Sequence, residues 1–217
     1  VTAATKLVKY SADAWTVEGD PILVDRTGGT LVAWAPAALA VTTSASGAEY
    51  TLTAQKDAAA QDLIYQHQSV NAANAGAVAV EMGHAYSKLS FLATAGNGYT
   101  GAANLTQVQI TGGIYATGTL NMVDGKVDPV GTATGTLTLA AGEKALVIPM
   151  AGQPTIAVTC TIDGKEFTAN IKADTMPSLL AGVEYEITLT VVGQEAVISS
   201  VKEVPWTTTK VDGGTIS

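Results

Sequence analysis

Val183-Glu184-Tyr185-Glu186-Ile187-Thr188-Leu189-Thr190-Val191-Val192 decides the fold class. Tyr185, Ile187, Leu189 and Val191 fall on one side of an extended chain, and Glu184, Glu186, Thr188 and Thr190 fall on the other. Successive side chains of a strand point to opposite faces, so this is a β-strand with one face on a core and one on water. The pattern continues outward in both directions. Gly193-Gln194 is followed by a return strand over 196–201, which makes a hairpin. Upstream, Ile156, Val158, Cys160 and Ile162 alternate with Ala157, Thr159 and Thr161, and the alternation resumes at Phe167, Ala169 and Ile171. Between them stands Asp163-Gly164, a dipeptide that tolerates the positive φ angles of a tight hairpin turn.

The first half has the same alternation at 22–24, 30–35, 77–81, 88–93, 105–110 and 118–122. Helical periodicity is not sustained anywhere. The Ala-rich and Gln-rich stretch 54–66 has room for a short helix, and 177–181 for a single turn. Many short strands separated by Gly-marked turns predict an all-β sandwich or barrel and exclude a βαβ fold. Asp124, Gly125, Asp128 and Pro129 punctuate the stretch 123–134. A division into an N-terminal domain, 1–125, and a C-terminal domain, 126–217, is expected there.

Apolar residues make up 47% of the 217 residues and charged ones only 14%, so the chain can bury a core and is not a disordered one. Its net charge is −8, and its 11 basic residues are scattered singly, which leaves no cationic patch for nucleic acid. Cys160 is the only cysteine, so neither an intrachain disulfide nor a cysteine-based zinc site can form. No apolar run reaches the length that spans a bilayer. The chain does not start with methionine or a signal peptide, as expected of an exported protein whose targeting segment has been removed.

No catalytic constellation emerges. Gly96-Asn97-Gly98-Tyr99-Thr100-Gly101 has the spacing of a dinucleotide loop, but a Thr-rich strand follows it and not a helix, so it is a loop between strands. His67 and His84, the two imidazoles, lack partners at metal-ligand spacing. There is no Gly-x-Ser-x-Gly elbow, and Cys160 lies on an apolar strand face. Glu184 and Glu186 share a strand face and are expected to solubilise an exposed edge. No cofactor, metal or catalytic residue is assigned. An enzyme is not expected, and a hydrolase assembled from distant residues is the weakest alternative.

Met82-Gly83-His84-Ala85-Tyr86-Ser87-Lys88-Leu89-Ser90-Phe91 resembles the His-Ala-x-x-Lys-x-x-Phe strand of the fimbrillin family of Bacteroidetes, the pilin-like subunits of type V fimbriae. Other segments resemble family motifs in the family's order: Trp15 ahead of Pro21-Ile22, then Val32-Ala33-Trp34-Ala35-Pro36, Asp62-Leu63-Ile64-Tyr65, Val147-Ile148-Pro149-Met150, Ile162 to Phe167, Ala181 to Tyr185, and Val204-Pro205-Trp206. The resemblance implies two tandem transthyretin-like β-sandwich domains, export as a lipoprotein and display at the cell surface or outer membrane. It implies other fimbrial subunits, or host or bacterial surface ligands, as partners. Membrane contact would be made only through a lipid anchor that this chain does not contain. The resemblance also implies β-strand addition, with cleavage after an arginine that frees a leading strand. Arg26, the only arginine, stands in Val24-Asp25-Arg26-Thr27-Gly28-Gly29 and is the candidate processing residue; its alternative is an ordinary turn arginine. A surface glycan-binding module is the alternative function, with Trp15, Trp34 and Trp206 as possible stacking platforms, although their apolar neighbours favour core packing.

Two further expectations concern the C-terminal half. Cys160, Tyr185, Ile187, Leu189 and Trp206 should be buried there. The tail after Trp206 should not serve as a donor strand, because Val211 and Ile216 are its strongly apolar side chains and have odd spacing.

Overall fold

The computed structural model describes residues 5–11, 14–20, 27–44, 47–71, 78–152 and 155–206, which contain twenty strands and no helix. The chain is all-β, as its alternation requires.

Strands β10 (Leu105–Ile114), β13 (Gly135–Ala140), β16 (Ile156–Ile162) and β17 (Lys165–Ile171) form a sheet in the order β13-β10-β16-β17. A five-stranded sheet runs β20 (Glu195–Pro205), β19 (Val183–Val192), β9 (Ser87–Ala95), β14 (Ala145–Val147) and β6 (Gln55–Lys56). Their inward side chains make the larger core, among them Leu89, Val108, Ile110, Val158, Tyr185 and Ile187. A smaller core lies between the sheet β12 (Val127–Val130), β11 (Thr117–Asn121), β5 (Gly47–Thr53), β4 (Thr42–Ser44) and the sheet β3 (Gly29–Ala35), β7 (Ile64–Val70), β8 (Gly83–His84). Two pairs complete the set, β1 (Val8–Ser11) with β2 (Ala14–Val17) and β15 (Met150–Ala151) with β18 (Ser178–Leu179).

Both expected hairpins are present. Ile162 pairs with Lys165 across Asp163 and Gly164, whose φ angles are 49° and 74°, the left-handed pair a two-residue turn needs. Val192 pairs with Glu195 across Gly193, φ 59°. The alternation of β16 is exact in its burial: Ile156, Val158, Cys160 and Ile162 are buried, and the residues between them are half-exposed.

The two cores share β14. Ala145 and Val147 face the larger core while Leu146 and Ile148 face the smaller one, so a strand with no polar face is buried on both sides. The chain leaves β12 and enters β13 through residues 131–134. Asp124 and Gly125 serve a tight turn closed by hydrogen bonds of 2.9 Å from Gly125 N to Asn121 O and from Asn121 N to Lys126 O. The sheets do not follow a cut between residues 125 and 126. β9 and β10 precede it, yet β9 pairs with β14 and β19, and β10 with β13 and β16.

Several local expectations are corrected. Residues 54–66 form no helix: β6 opens the stretch, one turn closes through Gln61 N and Asp62 N on Ala58 O, and β7 begins at Ile64. Tertiary pairing overrides helix propensity here, because Ala145 and Leu146 take Lys56 and Gln55 as ladder partners. Instead of a helical turn, residues 177–181 hold β18, drawn out by β15. Residues 78–81 are not a strand; Gln68 Nε2 donates to Ala79 O at 2.9 Å and Glu81 N donates to Gln66 Oε1, so side-chain amides replace the ladder. β19 is central, and Glu184 is mostly covered, so this face is not a free solubilising edge.

Candidate functional site

An open sheet edge is the first functional candidate, since unpaired backbone N–H and C=O groups form a template for another strand. Most edges here are blunted. β17 carries Lys165 and Glu166 and lies beside β20, which carries Glu195, Lys202 and Glu203. β13 lies beside β6, while β12 contains Asp128 and Pro129. β3 differs: seven residues long, it has no charged side chain, and among the described residues it pairs only with β7. Leu31 through Ala35 are all half-buried, with Val32 and Trp34 turned to the smaller core.

A polar cluster stands where the two cores meet. The Lys88 ammonium is buried and lies 2.7 Å from Asp57 Oδ2, which compensates its charge. It also sits 3.6 Å from the centre of the Trp206 ring, a cation–π contact. His84 stacks on the same indole at 3.6 Å between centroids, and its Nδ1 lies 2.8 Å from Asp62 Oδ2. Trp206 N donates to Gly182 O, and Gly182 N donates to Tyr86 O. The Tyr86 hydroxyl in turn accepts from Thr53 N at 3.2 Å and Gln55 Nε2 at 3.3 Å, and burial raises its pKa. Beside this cluster, burial pushes the Glu184 carboxyl up, but the Lys144 ammonium at 2.7 Å, Ser90 and the Lys88 charge together outweigh it and hold the carboxyl below its ordinary value.

The cluster fastens the end of β20 to the smaller core. His84 has an aspartate in reach, as a hydrolase would require, but among the described residues no hydroxyl or thiol hydrogen-bonds to it, and the imidazole is covered by Trp206. Cys160 is fully buried, and burial raises its thiol to about 12, which keeps it protonated and unreactive.

Cys160, Tyr185, Ile187 and Leu189 are fully buried in the larger core. Trp206 corrects the expectation: it is half-buried and packs on the smaller core, because β20 runs past the five-stranded sheet toward His84 and Lys88. Trp34 packs on the same core, so these two indoles do not form an exposed stacking row. The Trp15 side chain, Arg26, Pro21, Ile22 and Val24, and the tail with Val211 and Ile216 lie outside the described residues. The sequence had no direct signal for the Asp57–Lys88 pair. His84, Lys88, Asp62 and Trp206 each lie in a motif quoted above, and what joins them is that His84 and Lys88 meet on the Trp206 indole while Asp62 reaches His84.

Residues 2–206 match the family model described as fimbrillin-like. The chain belongs to the fimbrillin-like family. It is therefore one of a family of structural, non-catalytic proteins of the cell surface. A candidate cell adhesion protein from Bacteroides uniformis has a similar fold, with TM-score 0.64 and 23% identity over 83% of this chain and 73% of that one. Another candidate cell adhesion protein, from Bacteroides ovatus, gives TM-score 0.63 and 18% identity over 90% of this chain and 76% of that one. No curated protein matches the sequence.

Proposed function

We propose that this fimbrillin-like chain is a structural or adhesive subunit of a cell-surface fimbria that accepts a neighbour's strand along β3. The supporting observation is the β3 edge, uncharged over Gly29–Ala35 and without a second ladder partner among the described residues. An added strand would satisfy the free backbone groups and cover the half-buried apolar side chains. Arg26 stands three residues before β3, so cleavage after it would leave a chain that begins at Thr27, just ahead of this edge. Residues 207–217 are a poor donor strand, because the odd spacing of Val211 and Ile216 puts them on opposite faces of a regular strand.

The test places a photo-crosslinking residue at position 31 or 197 of the full chain in the bacterium that produces it. Crosslinks to a neighbouring subunit are expected from position 31 in β3 and not from position 197 in β20. Crosslinking from position 197 alone, or from neither, would overturn strand addition at β3. Ala33→Lys should lower surface assembly about tenfold, since a charge on an edge strand opposes pairing.

A further inference from the structure

Three loops meet at one end of the larger core: the glycine-rich segment 96–104, the Asp163-Gly164 turn and the Gly193-Gln194 turn. They are tied together by backbone hydrogen bonds, Gly96 N to Val191 O at 2.8 Å and Gly193 N to Asn97 O at 3.2 Å. Asp163 organises the rest. One carboxylate oxygen accepts from the Tyr99 hydroxyl at 2.7 Å and from Ala103 N at 2.9 Å, and the other accepts from Asn104 N at 2.9 Å. Gly101 is required by this geometry, because a Cβ there would lie 2.3 Å from Asp163 Oδ2 and 2.7 Å from the Tyr99 ring. Between the loops is an open cavity of about 410 Å³, a volume suited to a small ligand.

The lining limits what could bind. Tyr99 supplies the aromatic ring, Thr100 a hydroxyl, Gln194 an amide and Lys165 an ammonium, and the remaining wall is glycine and Asp163. No aliphatic side chain lines it, which excludes a lipophilic ligand. Asp163 has both oxygens occupied, and the groups that could hold a metal ion are not assembled among the described residues. The charge of Asp163 is answered by its hydrogen bonds, whereas among the described residues Lys165 enters no ion pair. The exposed Lys165 ammonium favours a carboxylate on the ligand at this spot, against the chain's overall charge of −8. An aromatic face beside unengaged hydroxyl and amide groups suits the C–H faces and hydroxyls of a sugar.

We propose that this loop cavity binds an acidic saccharide end, of the sialic or uronic acid type, with the Tyr99 ring as its platform and Lys165 as the carboxylate partner. The proposal deepens the adhesive part of the proposed function and rests on it, but it concerns loops on the larger core and not the β3 edge. Asp163 fixes the Tyr99 ring before the ligand arrives, which lowers the entropy lost on binding.

The full chain, labelled with 15N, is titrated with N-acetylneuraminic acid, glucuronic acid, glucose and inorganic sulfate. Saturable shifts are expected at the amides of Gly98, Thr100, Gly101, Gly193 and Gln194 with the two acids, at least tenfold weaker with glucose. Lys165→Ala should abolish that preference and Gln194→Ala should weaken binding at least threefold, both with unchanged Tm. No saturable shift from either acid, an equal response to inorganic sulfate, or undiminished binding by Lys165→Ala would each overturn the proposal. Crosslinking from position 31, measured on the same loop variants, separates failure of this proposal from failure of strand addition, since it should stay at the wild-type level.

Discussion

The two cores are built from the same alternating grammar and end in different states. The larger core is closed on both sides, with β17 beside β20 and β13 beside β6, and the inward residues of the two inner strands of its first sheet, β10 and β16, are buried from Val108 to Ile114 and from Ile156 to Ile162. The smaller core has nine buried residues surrounded by half-buried ones, including Val32, Trp34, Tyr50, Tyr65 and Trp206. Alternation suffices to fill a core only where a second sheet covers the whole face. Where one sheet has three strands and its outer strand is β3, apolar side chains remain half-covered and the fringe must be held by other means. Here the means are the indole stack and the paired charges around Trp206.

The largest effect should come from the closed side of this contrast. Ile187 is fully buried at the centre of β19, so Ile187→Ala leaves a cavity that cannot collapse and should cost about 3–4 kcal/mol. In a chain of this size that lowers Tm by about 10 °C, measurable by calorimetry. A cost below about 1 kcal/mol would mean that the larger core is as loosely covered as the smaller one.

Trp206→Ala is expected to come next, at about 2 kcal/mol, because the indole is half-buried but its loss exposes His84 and leaves Lys88 with Asp57 alone. Denaturant unfolding monitored by the remaining tryptophans reads this directly. If the loss is no larger than for an exposed residue, the fringe of the smaller core is not fastened by this stack. Val32→Ala should cost less than about 1 kcal/mol, since a half-buried side chain on an open edge gives up little burial. A cost equal to that of Ile187→Ala would erase the difference between the two cores and remove the ground for calling β3 an open edge.

The contrast was only partly legible in the sequence. Period-two patterns identify faces and turns, so the β16–β17 and β19–β20 hairpins, and the burial of Cys160, Ile187 and Leu189, could be read residue by residue. Face periodicity does not name a partner. β9 pairs in parallel with β19, Leu89 opposite Tyr185, and nothing in either segment encodes a neighbour that distant in the chain. The same holds for β14, whose run Ala145-Leu146-Val147-Ile148 has no polar face because both faces are cores, and for Trp206, whose apolar surroundings showed burial but not which core. Of the loop cavity, the two turns and the glycine-rich segment were each legible as loops. Their convergence depends on strand order, and therefore on the pairings that the pattern leaves open.

The smallest effect sharpens the comparison from the loop end of the larger core. Hydrogen bonds from the Tyr99 hydroxyl, and then from backbone N–H groups, hold the Asp163 carboxyl below its ordinary value. A carboxyl with a folded pKa below its unfolded one binds fewer protons in the folded state, so stability rises with pH between the two values. Its contribution is complete above the unfolded value, about 4, and disappears as the pH falls through the lower folded value. Asp163→Asn should therefore melt below the wild type at pH 7, and the gap should narrow as the pH falls below about 4 and close as it passes the lower folded value, where the wild-type carboxyl is protonated as well. Because the site is on the surface and no core contact changes, the gap should be smaller than that of Val32→Ala. Melting curves for both proteins at intervals from pH 7 to about 3 provide the measurement. A gap that stays constant across that range would mean that the side chain acts through shape at the left-handed turn position and not through its charge, and that the loop end is held by backbone hydrogen bonds alone.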